Sequence, residues 1–164
     1  MIYSKNGLHL TESFEGCRLT SYPDPGTGGS PWTVGYGHTG SDVHPNMTIT
    51  QEQAEELLMQ DVQKSEMTVA NKIHTDITQD EFDALVDFVF NVGAGNFAGS
   101  TLLKKINAGD MKGAALEFEK WDMAAGRHMA GLLRRRQAEE KLFDGLVCPI
   151  FTIRQPTTKN GIGT

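Results

Sequence analysis

Four side chains between Phe14 and Gly40 have the types and spacing to do chemistry together: Glu15, Asp24, Thr33 and His38. Two carboxylates can divide the cutting of a glycosidic bond. One protonates the leaving oxygen, and the other activates a water or attacks as nucleophile. Glu15 and Asp24 stand nine positions apart (24 − 15), across an expected break in structure, so they can reach one cleft from different elements. The donor must stay protonated near neutrality, which burial against apolar or aromatic walls achieves. Phe14 and Trp32 are the candidate walls. Thr33 suits the orienting of a water. His38 suits either contact with a sugar or a hydrogen bond that holds its own strand. Each residue also has an ordinary role: a helix-end acid, an Asp forming a turn before Pro-Gly, a β-branched strand former, a structural histidine. Spacing alone favours those ordinary roles.

The remaining motifs carry less. Gly93-Ala-Gly-Asn-Phe-Ala-Gly99 has neither the dinucleotide spacing nor a preceding strand, and reads as a close helix-to-helix turn beside a cleft. Arg134, Arg135 and Arg136 precede Glu139, Glu140 and Lys141, an interleaving that makes a salt-bridged helix face. One of the three arginines can also reach back to an acid. The five histidines and two cysteines form no metal-ligand spacing, so neither a metal nor a cofactor is expected. Cys17 and Cys148 do not make a disulfide framework, although their pairing stays open.

The elements that must position these side chains are mostly helical. Residues 4–15 form a first helix with Leu8, Leu10, Thr11 and Phe14 on its inner side, stopped at Gly16 by the left-handed conformation glycine allows. Residues 19–22 and 33–36 are short strands around a Gly/Pro loop; Thr33 and His38 lie on one strand at opposite parity, and share a face if a bulge at Gly35 or Gly37 intervenes. Thr50 and Gln53 form a capping box that opens a long helix to about Ile73, and Thr78 and Glu81 open a second. On the second, Phe82, Leu85, Val86, Val89 and Phe90 make an apolar stripe. Further helices are expected from Ser100 to Asn107, from Asp110 to about Trp121, and from about Ala130 to Phe143.

The 164 residues, 38% hydrophobic and 22% charged, describe a globular protein of one compact domain or two small lobes sharing a helix. Net charge is −6, unevenly spread: residues 1–100 hold 4 Lys/Arg against 14 Asp/Glu, and residues 101–164 hold 11 against 7. A basic C-terminal region can face an anionic polymer, but such runs are more often solvated helix faces. No motif that reads nucleic acid accompanies them. The N-terminus shows no secretory signal pattern, and no apolar run spans a bilayer.

Glu15-Gly16, Asp24 and the segment Pro31–Thr39 resemble the active-site region of the phage-type lysozymes, glycoside hydrolase family 24. The similarity continues through Phe82–Gly93, Ser100–Lys104 and Gly131–Glu139, covering roughly residues 8–146. It implies an α+β, mostly helical, lysozyme-like fold within a single domain, 1–148. That domain has a β lobe over about 16–49, a connecting helix over about 51–73 and a helical lobe over about 74–148, with a tail at 149–164. The resemblance implies an endolysin, a muramidase that hydrolyses the β-1,4 bond between N-acetylmuramic acid and N-acetylglucosamine in peptidoglycan. Glu15 falls on the family's general acid, and Asp24 and Thr33 on the pair that positions water, with inversion at the anomeric carbon. His38 and Asn91 would line the sugar cleft, and one of Arg134, Arg135 or Arg136 would support the acid. The loop from Gly26 to Pro31 is longer than in the shortest members. The expected partner is the glycan strand alone, met by a monomer that waits in the host cytoplasm for a holin to open the membrane. Two rival readings stay open: a lytic transglycosylase, which needs one carboxyl and leaves 1,6-anhydro ends, and a catalytically silent wall-binding module.

Overall fold

Ser4 opens the chain's first helix, its hydroxyl accepting the backbone N–H groups of Asn6 and Gly7. A computed structural model of the protein describes residues 1–146; Cys148, the tail at 149–164 and the expected domain limit at 148 lie outside them. Helix α1 (Lys5–Phe14) is not stopped by a left-handed Gly16, as the sequence predicts. Glu15 itself turns to extended backbone (φ −89°, ψ 126°) while its N–H still bonds the carbonyl of Thr11. The acid therefore leaves the helix rather than ending it.

Strands β1 (Arg18–Pro23), β2 (Trp32–Gly35) and β3 (His38–Thr39) form one antiparallel sheet in that order. The single bulged strand expected through Thr33 and His38 is instead a hairpin. Gly35 (φ 64°) and Gly37 (φ 90°) adopt the left-handed backbone its turn needs. Val34, Val43, Ile49 and Ala54 fill a small core under this sheet.

Helix α2 (Gln51–Lys72) starts at the predicted capping box, with Thr50 and Gln53 reciprocally bonded. Its 22 residues span roughly 33 Å. Ala54 belongs to the small core, while Leu58, Val62 and Val69 enter the large one, so α2 ties the two together. The second capping box, Thr78 with Glu81, opens α3 (Gln79–Val92).

Beyond α3 the pieces are shorter than the sequence predicts. The Gly93–Gly99 segment contains a helical turn, α4 (Ala94–Ala98). Helix α5 (Thr101–Asn107) is capped by Ser100 as expected. The helix expected from Asp110 to Trp121 breaks into α6 (Met111–Ala115) and a 3₁₀ turn, Phe118–Trp121. The break lets Phe118 and Trp121 set their rings edge-on against Phe88, at 5.4 and 5.5 Å between centroids. A hairpin with no clear sequence signal follows, β4 (Met123–Ala124) and β5 (Arg127–His128), before α7 (Ala130–Phe143).

Helix α3 is the axis of the large core, with α1, α2 and α7 packed around it. Residues Phe82 to Val89 are all buried. The predicted stripe is thus only one side of a helix enclosed on all faces, and two of the enclosed residues are acids, Asp83 and Asp87. Among the described residues no helix is long and apolar enough to cross a membrane.

Candidate active site

The extended backbone at Glu15 lifts its carboxylate into a cavity of about 620 Å³. Phe14, Asn91, Met129, Leu132 and Arg134 are among its walls. The Glu15 side chain is 28% exposed. Phe14 thus supplies the aromatic wall the sequence suggests. Trp32 does not: it packs on the β-lobe core and borders a separate hollow near His44.

Behind Glu15 stands a chain of buried polar groups. Arg135 donates from Nη1 to Glu15 Oε1 at 2.6 Å. Its other edge binds Asp87 through two hydrogen bonds, Nε to Oδ2 at 3.0 Å and Nη2 to Oδ1 at 2.8 Å. Thr11 donates to Asp87 Oδ1 at 2.6 Å, and Tyr3 stands 2.8 Å from the Thr11 hydroxyl. This planar, bidentate pairing suits arginine and not lysine. Of the three candidate arginines, Arg135 is the one bonded to Glu15.

Asp87 is completely buried, and burial alone would push its carboxyl up; the Arg135 charge and hydrogen bonds outweigh that and hold it below the usual range. Arg135 is in turn held charged by Asp87 against its own burial. Glu139 lies at the same level, fully buried. Burial and the nearby Asp87 charge push its carboxyl well up, so the two acids are shifted in opposite directions. Arg136 brings Nη2 to 2.9 Å from Glu139 Oε1 and donates to Asn91 Oδ1 at 2.8 Å, with its guanidinium 4.9 Å above the Phe88 ring. Asn91, exposed at the cavity wall, therefore has a fixed carboxamide.

Asp24 and Thr33 are not among the walls of that cavity. Asp24 sits just past the end of β1, where Oδ1 accepts the N–H groups of Gly26 and Thr27 at 2.9 and 3.0 Å. Its own N–H meets the carbonyls of Gly29 and Pro31, so the long loop closes on Asp24 beside the regular pairs Tyr22–Thr33 and Pro23–Trp32; the β1–β2 register shifts farther back, between Arg18 and Tyr22. Tyr22 pairs with Thr33, and Asp24 is two residues beyond Tyr22. Strand β1 ends at Pro23, so Asp24 stands at the end of the ribbon that carries Thr33.

His38 pairs with Val34, which sets it on the opposite face from Thr33. Its ring is wedged toward α2, with Nδ1 3.0 Å from Asp61 and Nε2 3.1 Å from Asp42. Burial lowers its affinity for a proton, but the two carboxylates outweigh that and raise it above the ordinary imidazole range. A raised folded value means the ion pair stabilises fully below the unfolded value, near pH 6.5, and is lost as pH rises through the folded one. His38→Gln is therefore expected to cost about 1–2 kcal/mol in urea unfolding near pH 5.5 and clearly less near pH 9. An equal cost at both would show that the charge is not involved.

The model of the family described as phage lysozyme matches residues 12–139. The chain belongs to the phage lysozyme family. Among curated relatives, the endolysin of Bacillus phage B103 is 46% identical over 143 residues, 87% of this chain and 54% of that protein. The endolysin of Acyrthosiphon pisum secondary endosymbiont phage 1 is 42% identical over 148 residues, 88% of this chain and 99% of that one. The chain thus spans about half the length of the Bacillus phage relatives it matches. Among solved structures, the endolysin of Escherichia coli phage FAHEc1 superposes with TM-score 0.78 at 37% identity, covering 87% of this chain and 93% of its own. The muramidase domain of SpmX from Asticaccaulis excentricus gives 0.77 at 36%, covering 86% and 96%. The mostly helical α+β architecture is the phage lysozyme fold.

Within this phage lysozyme domain, sequence reasoning missed Asp87; it read Glu139 as a salt-bridge partner of the arginines, which it is, and Thr11 as an inner-face residue, without joining either to the site. The available signal was Asp83 and Asp87, four apart on a helix otherwise apolar on that face. Acids on a buried face need partners, and Arg135 is the partner of Asp87.

Proposed function

We infer that this chain is a peptidoglycan-cleaving endolysin of the muramidase type, acting on the β-1,4 bond between N-acetylmuramic acid and N-acetylglucosamine. The observation that carries the reading is Glu15, standing in the cavity with one oxygen clamped by Arg135. The names of the relatives, endolysins and a muramidase domain, agree with it.

The clamp divides the two carboxyl oxygens. Oε1 accepts the Arg135 N–H in either protonation state, which leaves Oε2 to carry the proton toward the leaving glycosidic oxygen. Once that proton is given up, the guanidinium faces a full carboxylate and stabilises the product charge. Asp24 works from the other side. Its Oδ1 is tied into the loop by two backbone N–H groups. Oδ2 takes the proton of an attacking water that the Thr33 hydroxyl orients. A water between two carboxyls requires a separation of about 6.5–9.5 Å and gives inversion. Asn91, its carbonyl oxygen held by Arg136, offers its amide hydrogens to the glycan. His38 serves the site by anchoring its hairpin to α2. The enzyme reaches the wall through a holin-made lesion.

Product analysis tests this reading. Digested peptidoglycan examined by mass spectrometry is expected to show reducing N-acetylmuramic acid ends. Anhydro ends, lighter by one water, would make the chain a transglycosylase, which needs no water-activating Asp24. Absence of any new ends would leave the wall-binding reading.

A further inference from the structure

Behind the cavity, three carboxyls meet two guanidiniums. Glu15 and Asp87 are hydrogen-bonded to Arg135. Glu139 stands 3.6 Å from Arg135 Nε and 2.9 Å from Arg136 Nη2. Asp87, Glu139 and Arg136 are fully enclosed, Arg135 nearly so, and Glu15 is by far the most open of the five. Burying such a set costs least when its charges balance. Two guanidiniums balance two carboxylates, so one of the three carboxyls holds a proton.

Asp87 is not that one. Both its oxygens accept from Arg135, and Oδ1 also accepts from Thr11. The proton therefore belongs to Glu15 or to Glu139. Among the described residues neither Glu139 oxygen has a well-aligned hydrogen bond, and neither do Nε and Nη1 of Arg136. Glu139 is thus tied less firmly than Asp87 to its charged form, and burial and the Asp87 charge favour its neutral one. The elements around it do not alter this count. Helix α3 presents Asp87, and the α1 side presents the Tyr3 and Thr11 hydroxyls, which lead to Asp87. The 3₁₀ turn packed on α7 sends Lys120 to Glu117, while its Glu119 acts on Glu140.

A glycan laid over Glu15 takes water away from its carboxyl, which favours the neutral form. Glu15 then takes up a proton as Glu139 gives one up, and the new charge on Glu139 lies between Arg135 and Arg136. The number of protons and the net charge of the set are unchanged. We propose that Glu139 is a positioning residue for the reaction: through Arg135 it takes the negative charge when Glu15 takes the proton, and so sets how far toward alkaline pH the donor stays loaded. This deepens the muramidase reading and rests on it.

The coupling is reciprocal, so it has a readout that needs no activity. The Glu139 carboxyl is followed by carbon-13 NMR against pH in wild type and in Glu15→Gln. Glu15→Gln removes a competing carboxylate, and Glu139 is expected to ionise about one pH unit lower. The second readout is kcat/KM on solubilised glycan chains as a function of pH. Glu139→Gln stays neutral throughout and cannot offset Arg135, so the alkaline limb should move about one pH unit toward acid. Glu139→Asp, which restores an ionisable carboxyl, should recover part of that shift. A purely structural role would lower the whole profile and leave the limb in place. An unmoved Glu139 midpoint in Glu15→Gln, or an unmoved limb in folded Glu139→Gln, overturns the proposal. Should Glu139→Gln not fold, the Glu139 titration in Glu15→Gln decides alone. Failure of the muramidase reading looks different: wild type would release no reducing muramic ends, and the same titration would still accept or reject the coupling.

Discussion

Glu15→Gln is expected to lower the clearing of permeabilised cells by about 10²–10⁴-fold while leaving the thermal midpoint close to that of wild type. The substitution is isosteric and keeps an amide oxygen for the Arg135 Nη1 bond now made at 2.6 Å. What it removes is a proton that can be given to the leaving oxygen. The carboxyl is about one-quarter exposed (28%), so no buried charge is stranded by the change. Loss of activity with retained binding to insoluble wall material would separate catalysis from recognition. Clearance at the wild-type rate would show that Glu15 is not the acid, whatever the cavity looks like. Glu15→Ala adds a second effect, because Arg135 then loses one of the two carboxylates hydrogen-bonded to it, and that variant should lose some stability as well.

The parts of the fold that were legible in the sequence are those fixed by local chemistry. Thr50 with Gln53 and Thr78 with Glu81 announce helix starts because each pair satisfies the other's orphan backbone groups. The 130–143 helix is equally plain, bounded by Gly145 (φ 68°) just beyond it. The parts that were not legible depend on partners far away in sequence. The helix expected to run to Trp121 breaks after Ala115 because Phe118 and Trp121 are needed around Phe88, a demand no local pattern records. The β4–β5 hairpin turns on Ala125 and Gly126, both with positive φ (49° and 76°). Alanine in that conformation is uncommon, so the usual Asn-Gly signal is absent.

The candidate site divides along the same line. Glu15, Asp24 and Thr33 stand out as residue types near turns, and Arg134–Arg136 as a run, but a run cannot say which member faces which way. Successive positions on a helix differ by about 100°, so three consecutive arginines must point in three directions. Packing against α3 decides the outcome: Arg135 and Arg136 turn inward to carboxylates and Arg134 stays at the rim.

Asp87 is where stability and catalysis are joined, and Asp87→Ala is expected to cost about 3–5 kcal/mol in denaturant unfolding, because it removes the carboxylate that makes two hydrogen bonds to the buried Arg135 charge and accepts from Thr11. In the wild-type protein the folded carboxyl is held below its unfolded value. Its contribution is thus complete above about pH 4 and is lost as pH falls through the lowered folded value. In the variant the balance shifts to Glu139. Its Oε1 already lies 3.6 Å from Arg135 Nε, and the neighbouring Asp87 charge is one of the two causes that push its carboxyl up. With Asp87 gone, Glu139 ionises more readily and takes over part of the pairing with Arg135. The deficit of Asp87→Ala should therefore be largest near pH 5, where Asp87 is ionised in the wild type and Glu139 is still neutral, shrink toward neutrality as Glu139 ionises, and shrink again below the lowered Asp87 value. Adding Glu139→Gln should abolish that recovery, so a double-mutant cycle measured near pH 5 and pH 7.5 reads the coupling directly. Equal deficits at both pH values, with strict additivity, would show that Glu139 does not substitute for Asp87. Activity should follow Arg135: where Glu139 restores the pairing, the Glu15 carboxyl is held again, and turnover returns with stability.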